Sequence, residues 1–131
     1  MSNIATTIEQ SKHLLELVLD RKSADMFYPI DGSSLPEVCD YGDNMQADNP
    51  AWSLTALLDV MPSFIEYKGQ KLRLTMEKAG IWNVFYLGTE HRLNEIWFNG
   101  EYNEPVEPAY KMVCWLLEQG LIEKGGEYGT D

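Results

Sequence analysis

The 131-residue sequence predicts an α+β domain of two layers, a four-stranded antiparallel β-meander packed with helices. Three observations carry that expectation. Apolar side chains recur at helical spacing near both ends of the chain and again around residue 57. After residue 67 the spacing changes to alternation. Glycine, proline and asparagine then stand where one pattern gives way to the next.

In residues 4–20, Ile4, Ile8, Leu14, Leu15, Val18 and Leu19 fall on one arc, and Glu9, Lys12, His13, Glu16 and Asp20 oppose them, predicting an amphipathic helix with one buried face. From Lys22 to Asn49 no period holds. Pro29, Gly32, Pro36 and Gly42, the cluster IDGSSLP and the acidic run CDYGDNMQADN read as short turns or a packed excursion anchored by Met26, Phe27, Tyr28, Ile30 and Leu35. The stretch DNPAWSLTALLDVMP, residues 48–62, predicts a short helix with Asp48 or Asn49 as N-cap, Pro50 in the first turn and Pro62 as the stop. So apolar a stretch is either a docking element or core. Leu54, Leu57, Leu58 and Met61 form one stripe and leave Ser53, Thr55 and Asp59 polar, which favours core.

Leu72, Leu74 and Met76 alternate with Lys71, Arg73, Thr75 and Glu77, as in a strand with one wet face. Residues 67–70 and 78–80 are suited to tight hairpin turns on either side of it. Ile81 to Leu87 reads as a central strand and Leu93 to Phe98 as a fourth. The closing helix carries the stripe Ala109, Met112, Val113, Leu116 and Leu117. Glu104 and Glu107 favour its positive end, and Gly120 and Leu121 are placed for a Schellman ending. One domain over residues 1–122 is expected, with 123–131 as a flexible tail.

The net charge is −11, and it is unevenly spread. Residues 1–62 hold 3 basic and 10 acidic side chains, 63–100 hold 5 and 4, and 101–131 hold 2 and 7. Acidic flanks around a neutral middle disfavour direct contact with nucleic acid or anionic membrane surfaces and favour a protein partner, in particular a basic one. The first twenty residues lack the pattern of a secretory signal, no stretch is apolar enough to span a bilayer, and Cys39 and Cys114 read as reduced thiols, so a cytoplasmic location is expected.

No phosphate-cradling loop, nucleophile elbow or Cys-x-x-Cys pair is present. His13 falls on a polar helix face without a partner. His91 and Glu95 are too few for a zinc site and stand on a turn entering a strand. Asp40, Asp43 and Asp48 match a calcium loop in charge but not in ligand order. Glu37 and Asp40 oppose thiolate formation at Cys39. No catalytic, cofactor or metal-binding residue is therefore assigned.

Alternation puts Trp82, Val84 and Tyr86 on one face of the third strand, and Ile81, Asn83, Phe85 and Leu87 on the other. Aromatics on both faces imply either cross-strand pairs covered by residues 22–49 or an exposed binding patch. The candidate interaction surface consists of Trp82, Tyr86 and Trp97 on the sheet's outer face with Asp40, Asp43 and Asp48 from the acidic loop.

Three segments, SKHLLELVLDRKSADMFY at 11–28, NPAWSLTALLDVMP at 49–62 and AYKMVCWLLEQGLI at 109–122, stand in an order that resembles a family of small acidic proteins of unknown function carried by bacterial prophages and related mobile elements. The resemblance implies a shared fold and a mobile-element origin, and brings no catalytic residues. The expected function is a non-enzymatic protein-interaction module. The alternatives are an acidic inhibitor or immunity-type protein directed at a basic nucleic-acid enzyme, and a ligand binder or enzyme with a pocket between helices and sheet using Asp40, Asp43 or His91.

Overall fold

A computed structural model describes residues 4–29, 35–38, 49–88, 95–96, 98 and 100–123. Helix α1 spans Ile8–Glu16. It begins at Thr7 with a capping box: the Thr7 hydroxyl accepts from the Gln10 N–H, and the Gln10 side chain accepts from the Thr7 N–H. The helix starts later than the apolar arc implies because the preceding residues are used elsewhere. Thr6 N–H donates to the Trp52 carbonyl at 2.9 Å, and Ala5 bridges Ser53 in antiparallel fashion. Ile4, expected on the buried arc, is consequently 58% exposed. Leu14 and Leu19 are buried as expected.

The segment after α1 holds a 3-10 turn, Arg21–Ser23, and two strands, β1 (Met26–Tyr28) and β2 (Glu37–Val38). With β3 (Asn49–Ala51) they form an antiparallel sheet in the order β2-β1-β3, a second sheet where short turns or a packed excursion were expected. Asn49 and Pro50 are also corrected: they lie in a strand, not at an N-cap and in the helical first turn that follows it. Pro50 stands opposite Phe27 on an edge strand, where a missing N–H is tolerated for the same reason it is tolerated at a helix start. Helix α2, Leu54–Val60, is capped instead by Ser53, whose hydroxyl accepts from the Ala56 N–H. Asp25 holds that cap in place, accepting from the Ser53 N–H at 2.9 Å and from its hydroxyl. Leu57 and Trp52 are fully enclosed and Met61 nearly so, so the apolar stretch is core.

A buried polar network joins the two ends of this region. Thr6 accepts from the Trp52 N–H at 3.0 Å and meets the Ser11 hydroxyl at 2.8 Å. Tyr28 donates to the Thr6 carbonyl at 2.9 Å, so Thr6 and Ser11, the two buried polar residues among those described, are satisfied.

The larger sheet is built from β4 (Phe64–Tyr67), β5 (Gln70–Ala79) and β6 (Ile81–Gly88), antiparallel in chain order. Lys68 and Gly69 turn the first hairpin at positive φ, and Gly80 turns the second at φ 83. Of the fourth strand expected over Leu93 to Phe98, β7 comprises Glu95–Ile96, paired with Leu87 and Tyr86, while residues 93, 94 and 97 lie outside the described set. Helix α3, Val106–Glu118, lies across the inner face of the sheet. Its stripe of Ala109, Met112, Val113, Leu116 and Leu117 packs with Leu14, Leu57, Ile65, Leu72 and Tyr86 in one core. Glu104 caps the helix by accepting from the N–H groups of Val106 and Glu107 at 2.8 and 3.0 Å. Gly120, at φ 73, ends it in the expected Schellman ring, with Leu121 N–H donating to the Leu116 carbonyl at 2.8 Å. The architecture is α+β. Among the described residues no helix is long and apolar enough to cross a membrane.

Candidate interaction surface

Of the candidate interaction surface, Trp82 and Tyr86 are among the described residues, and they share one face of β6. Tyr86 is fully buried and donates its hydroxyl to the Pro62 carbonyl, which corrects its placement on an outer face. It shares a face with Leu72, Leu74 and Val84, and that face is the one covered by α2 and α3. Trp82 has the same orientation but stands near the tip of the β5–β6 hairpin, where it is half-buried with the Lys78 ammonium 5.3 Å from its ring. Trp97, Asp40, Asp43 and Asp48 lie outside the described residues, as do Cys39 and His91.

The side of the sheet turned away from the helices carries Phe64 and Phe85 instead. Phe64 is 50% exposed, with the Lys71 ammonium 4.6 Å from its ring, and Phe85 is half-buried. Lys71 and Arg73 alternate here with Glu66 and Glu77, so this face is mixed in charge.

The acidic surplus belongs to the segments 1–62 and 101–131, which also supply the helices. The three helices all end at one place. Val18 terminates α1 at φ 68, with its own N–H donating to the Leu15 carbonyl and Leu19 N–H returning to the Leu14 carbonyl at 3.0 Å, the same ring that Gly120 closes on α3. Met61 ends α2 and Pro62 prevents its continuation. Leu19, Met61 and Leu121, one from each reversal, line a groove of about 370 Å³ together with Val60, Pro62 and Ile122. Asp20, Asp59 and Glu123 stand on its margin, and among the described residues no lysine or arginine lines it. Ser23, also in the wall, is fixed from behind because its hydroxyl accepts from the Trp52 indole N–H at 2.9 Å.

This groove is absent from the sequence reading. Two of its margins follow helix stops legible in the sequence, at Pro62 and Gly120, yet nothing in one dimension places the three stops together.

Between α1 and α3, His13 meets the Glu16 carboxylate at 3.5 Å and the Tyr110 ring edge-on at 6.4 Å between centroids. Tyr110 in turn neighbours Cys114 one turn along α3, and each shifts the other's proton affinity. Burial, with a smaller contribution from Glu118, pushes the Cys114 thiol up to about 11 despite the opposing influence of Tyr110, which makes it a poor nucleophile near neutrality. Among the described residues no group of three or more His, Cys, Asp or Glu side chains is placed to hold a metal ion. No protein-family model matches the chain, and no curated protein or solved structure compared with it gives a match.

Proposed function

We propose that the protein is a non-enzymatic interaction module that binds a basic protein partner through its acidic helical side. The observation that carries this reading is the segregation of charge: the sheet segment, residues 63–100, is nearly neutral, whereas the flanking segments that supply the helices carry 17 acidic against 5 basic side chains. Such a surface attracts cationic partners over a Debye length and repels nucleic acid and anionic lipid. The resemblance to small acidic proteins of prophages and mobile elements belongs to the same proposal, and an inhibitor of a basic nucleic-acid enzyme is one form that it takes.

The test is a tagged capture from host lysate, washed at about 0.05 M and then about 0.5 M salt, a range that shortens the Debye length about threefold. The expected result is a basic protein that is retained in the first wash and released in the second. Capture of no protein, or of one whose retention ignores salt, overturns the reading.

A further inference from the structure

The groove where the three helices end has a chemistry narrower than acidity. Its floor is apolar, formed by the side chains of Leu19, Met61 and Ile122, all within the core yet reaching the surface here. The C-terminal ends of α1 and α3, of nine and thirteen residues, present the negative ends of their dipoles to the same space. Asp20, Asp59 and Glu123 add formal charge of the same sign, and no ion pair among the described residues involves any of the three. An aliphatic floor beneath a negative margin is complementary to a side chain with an apolar stem and a cationic head.

We propose that this groove is where a basic amphipathic segment of the partner docks, with the stem of a lysine or arginine on Leu19, Met61 and Ile122 and its charged head between Asp20, Asp59 and Glu123. The inference rests on the reading of the protein as a binder of a basic partner and assigns that reading a location. Arginine fits best, because its guanidinium forms paired hydrogen bonds to carboxylates and is less strongly hydrated than an ammonium. Asp20 remains competent to accept such a bond. One of its oxygens takes the Lys22 N–H at 3.0 Å, and a carboxylate offers about four acceptor positions.

The probe is a blocked hexapeptide of alternating leucine and arginine, titrated into the isotopically labelled full chain and followed by amide NMR. Two control peptides are run beside it, one with glutamate in place of arginine and one with serine in place of leucine. The inference expects shifts concentrated at Leu19, Ser23, Met61 and Ile122, weaker binding of the serine peptide and none of the glutamate peptide. The triple variant D20N/D59N/E123Q keeps its fold, as its amide spectrum will report, and loses about tenfold or more in affinity. Shifts scattered over the acidic surface, or equal affinity in the triple variant, overturn it. The two proposals fail separately. If lysate capture yields a salt-sensitive basic partner that the triple variant still binds undiminished, the general reading stands and the groove assignment falls. If capture yields none, the general reading falls, whatever the peptide does.

Discussion

Two tyrosine hydroxyls lie inside this fold on opposite terms. Tyr86 donates to the Pro62 carbonyl and thereby ties β6 to the end of α2. Tyr102 is 8% exposed, and its enclosed hydroxyl has no partner among the described residues. The ring lies against Gly100, where a Cβ would come within 2.5 Å of it, so the backbone there accepts the tyrosine only because residue 100 has no side chain. A bare buried hydroxyl is destabilising by about 1–3 kcal/mol, and removing it relieves that cost, whereas removing a bonded one leaves an acceptor bare. Tyr102→Phe is therefore expected to raise the unfolding free energy by about 1 kcal/mol, and Tyr86→Phe to lower it by about 1–2 kcal/mol. Urea titration of both variants checks the pair. A loss in Tyr102→Phe equal to that in Tyr86→Phe would show that the Tyr102 hydroxyl is engaged after all.

At the level of elements, the chain spells some of its stops and hides others. Gly120 at the end of α3 is legible because glycine is the residue that tolerates positive φ, and the stripe before it leaves no doubt about the register. Val18 closes the same ring on α1 at φ 68, and nothing in its identity announces this, since a β-branched residue is among the least suited to that conformation. The exposure of Val18, 36%, leaves room for replacement without a cavity. Val18→Gly is expected to stabilise the protein by about 1 kcal/mol, while Lys12→Gly in the middle of the exposed face of α1 costs about 1 kcal/mol. Opposite signs for the same incoming residue in thermal unfolding would establish that conformation, not composition, decides. The small sheet was illegible for a different reason. Its strands are two or three residues long and pair Met26 with Val38 and Ala51, so neither a period nor a hairpin turn marks them. Pro50 was misleading because a helix start and an edge strand accept proline on the same ground. Alternation correctly sorted Trp82, Val84 and Tyr86 onto one face, but only the packing of α3 shows that this face is the covered one.

At the scale of the whole fold, the described ionisable groups most changed by folding are protonated ones, and they stand where the layers meet. Burial raises the tyrosines Tyr28, Tyr86 and Tyr110 above their ordinary value of 10.0, and it raises the Cys114 thiol from 9.0 to about 11. Tyr110 and Cys114 are neighbours on α3 beside α1, and Tyr86 bridges the sheet to α2, so a charge on any of these three would be formed inside an interface. A neutral acid whose value is raised in the folded state releases its proton more readily once the chain unfolds. The contribution of these groups to stability is thus fully present below pH 9, declines as Cys114 passes from its unfolded to its folded value, and falls further above 10 as the unfolded chain ionises its tyrosines. The net charge of −11 acts in the same direction, since each further anion adds to a surplus already held in the segments that flank the larger sheet. The expected outcome is a flat unfolding free energy between pH 7 and about 9 followed by a decline toward pH 11. Cys114→Ala separates the two causes: it removes the first part of the decline and leaves the part due to tyrosine. If the midpoint of urea unfolding stayed constant to pH 11 in the parent protein, the thiol and the phenols would be as free to ionise in the folded state as in the unfolded chain, and the packing of α3 on α1 and the sheet would have to be looser than the geometry places it.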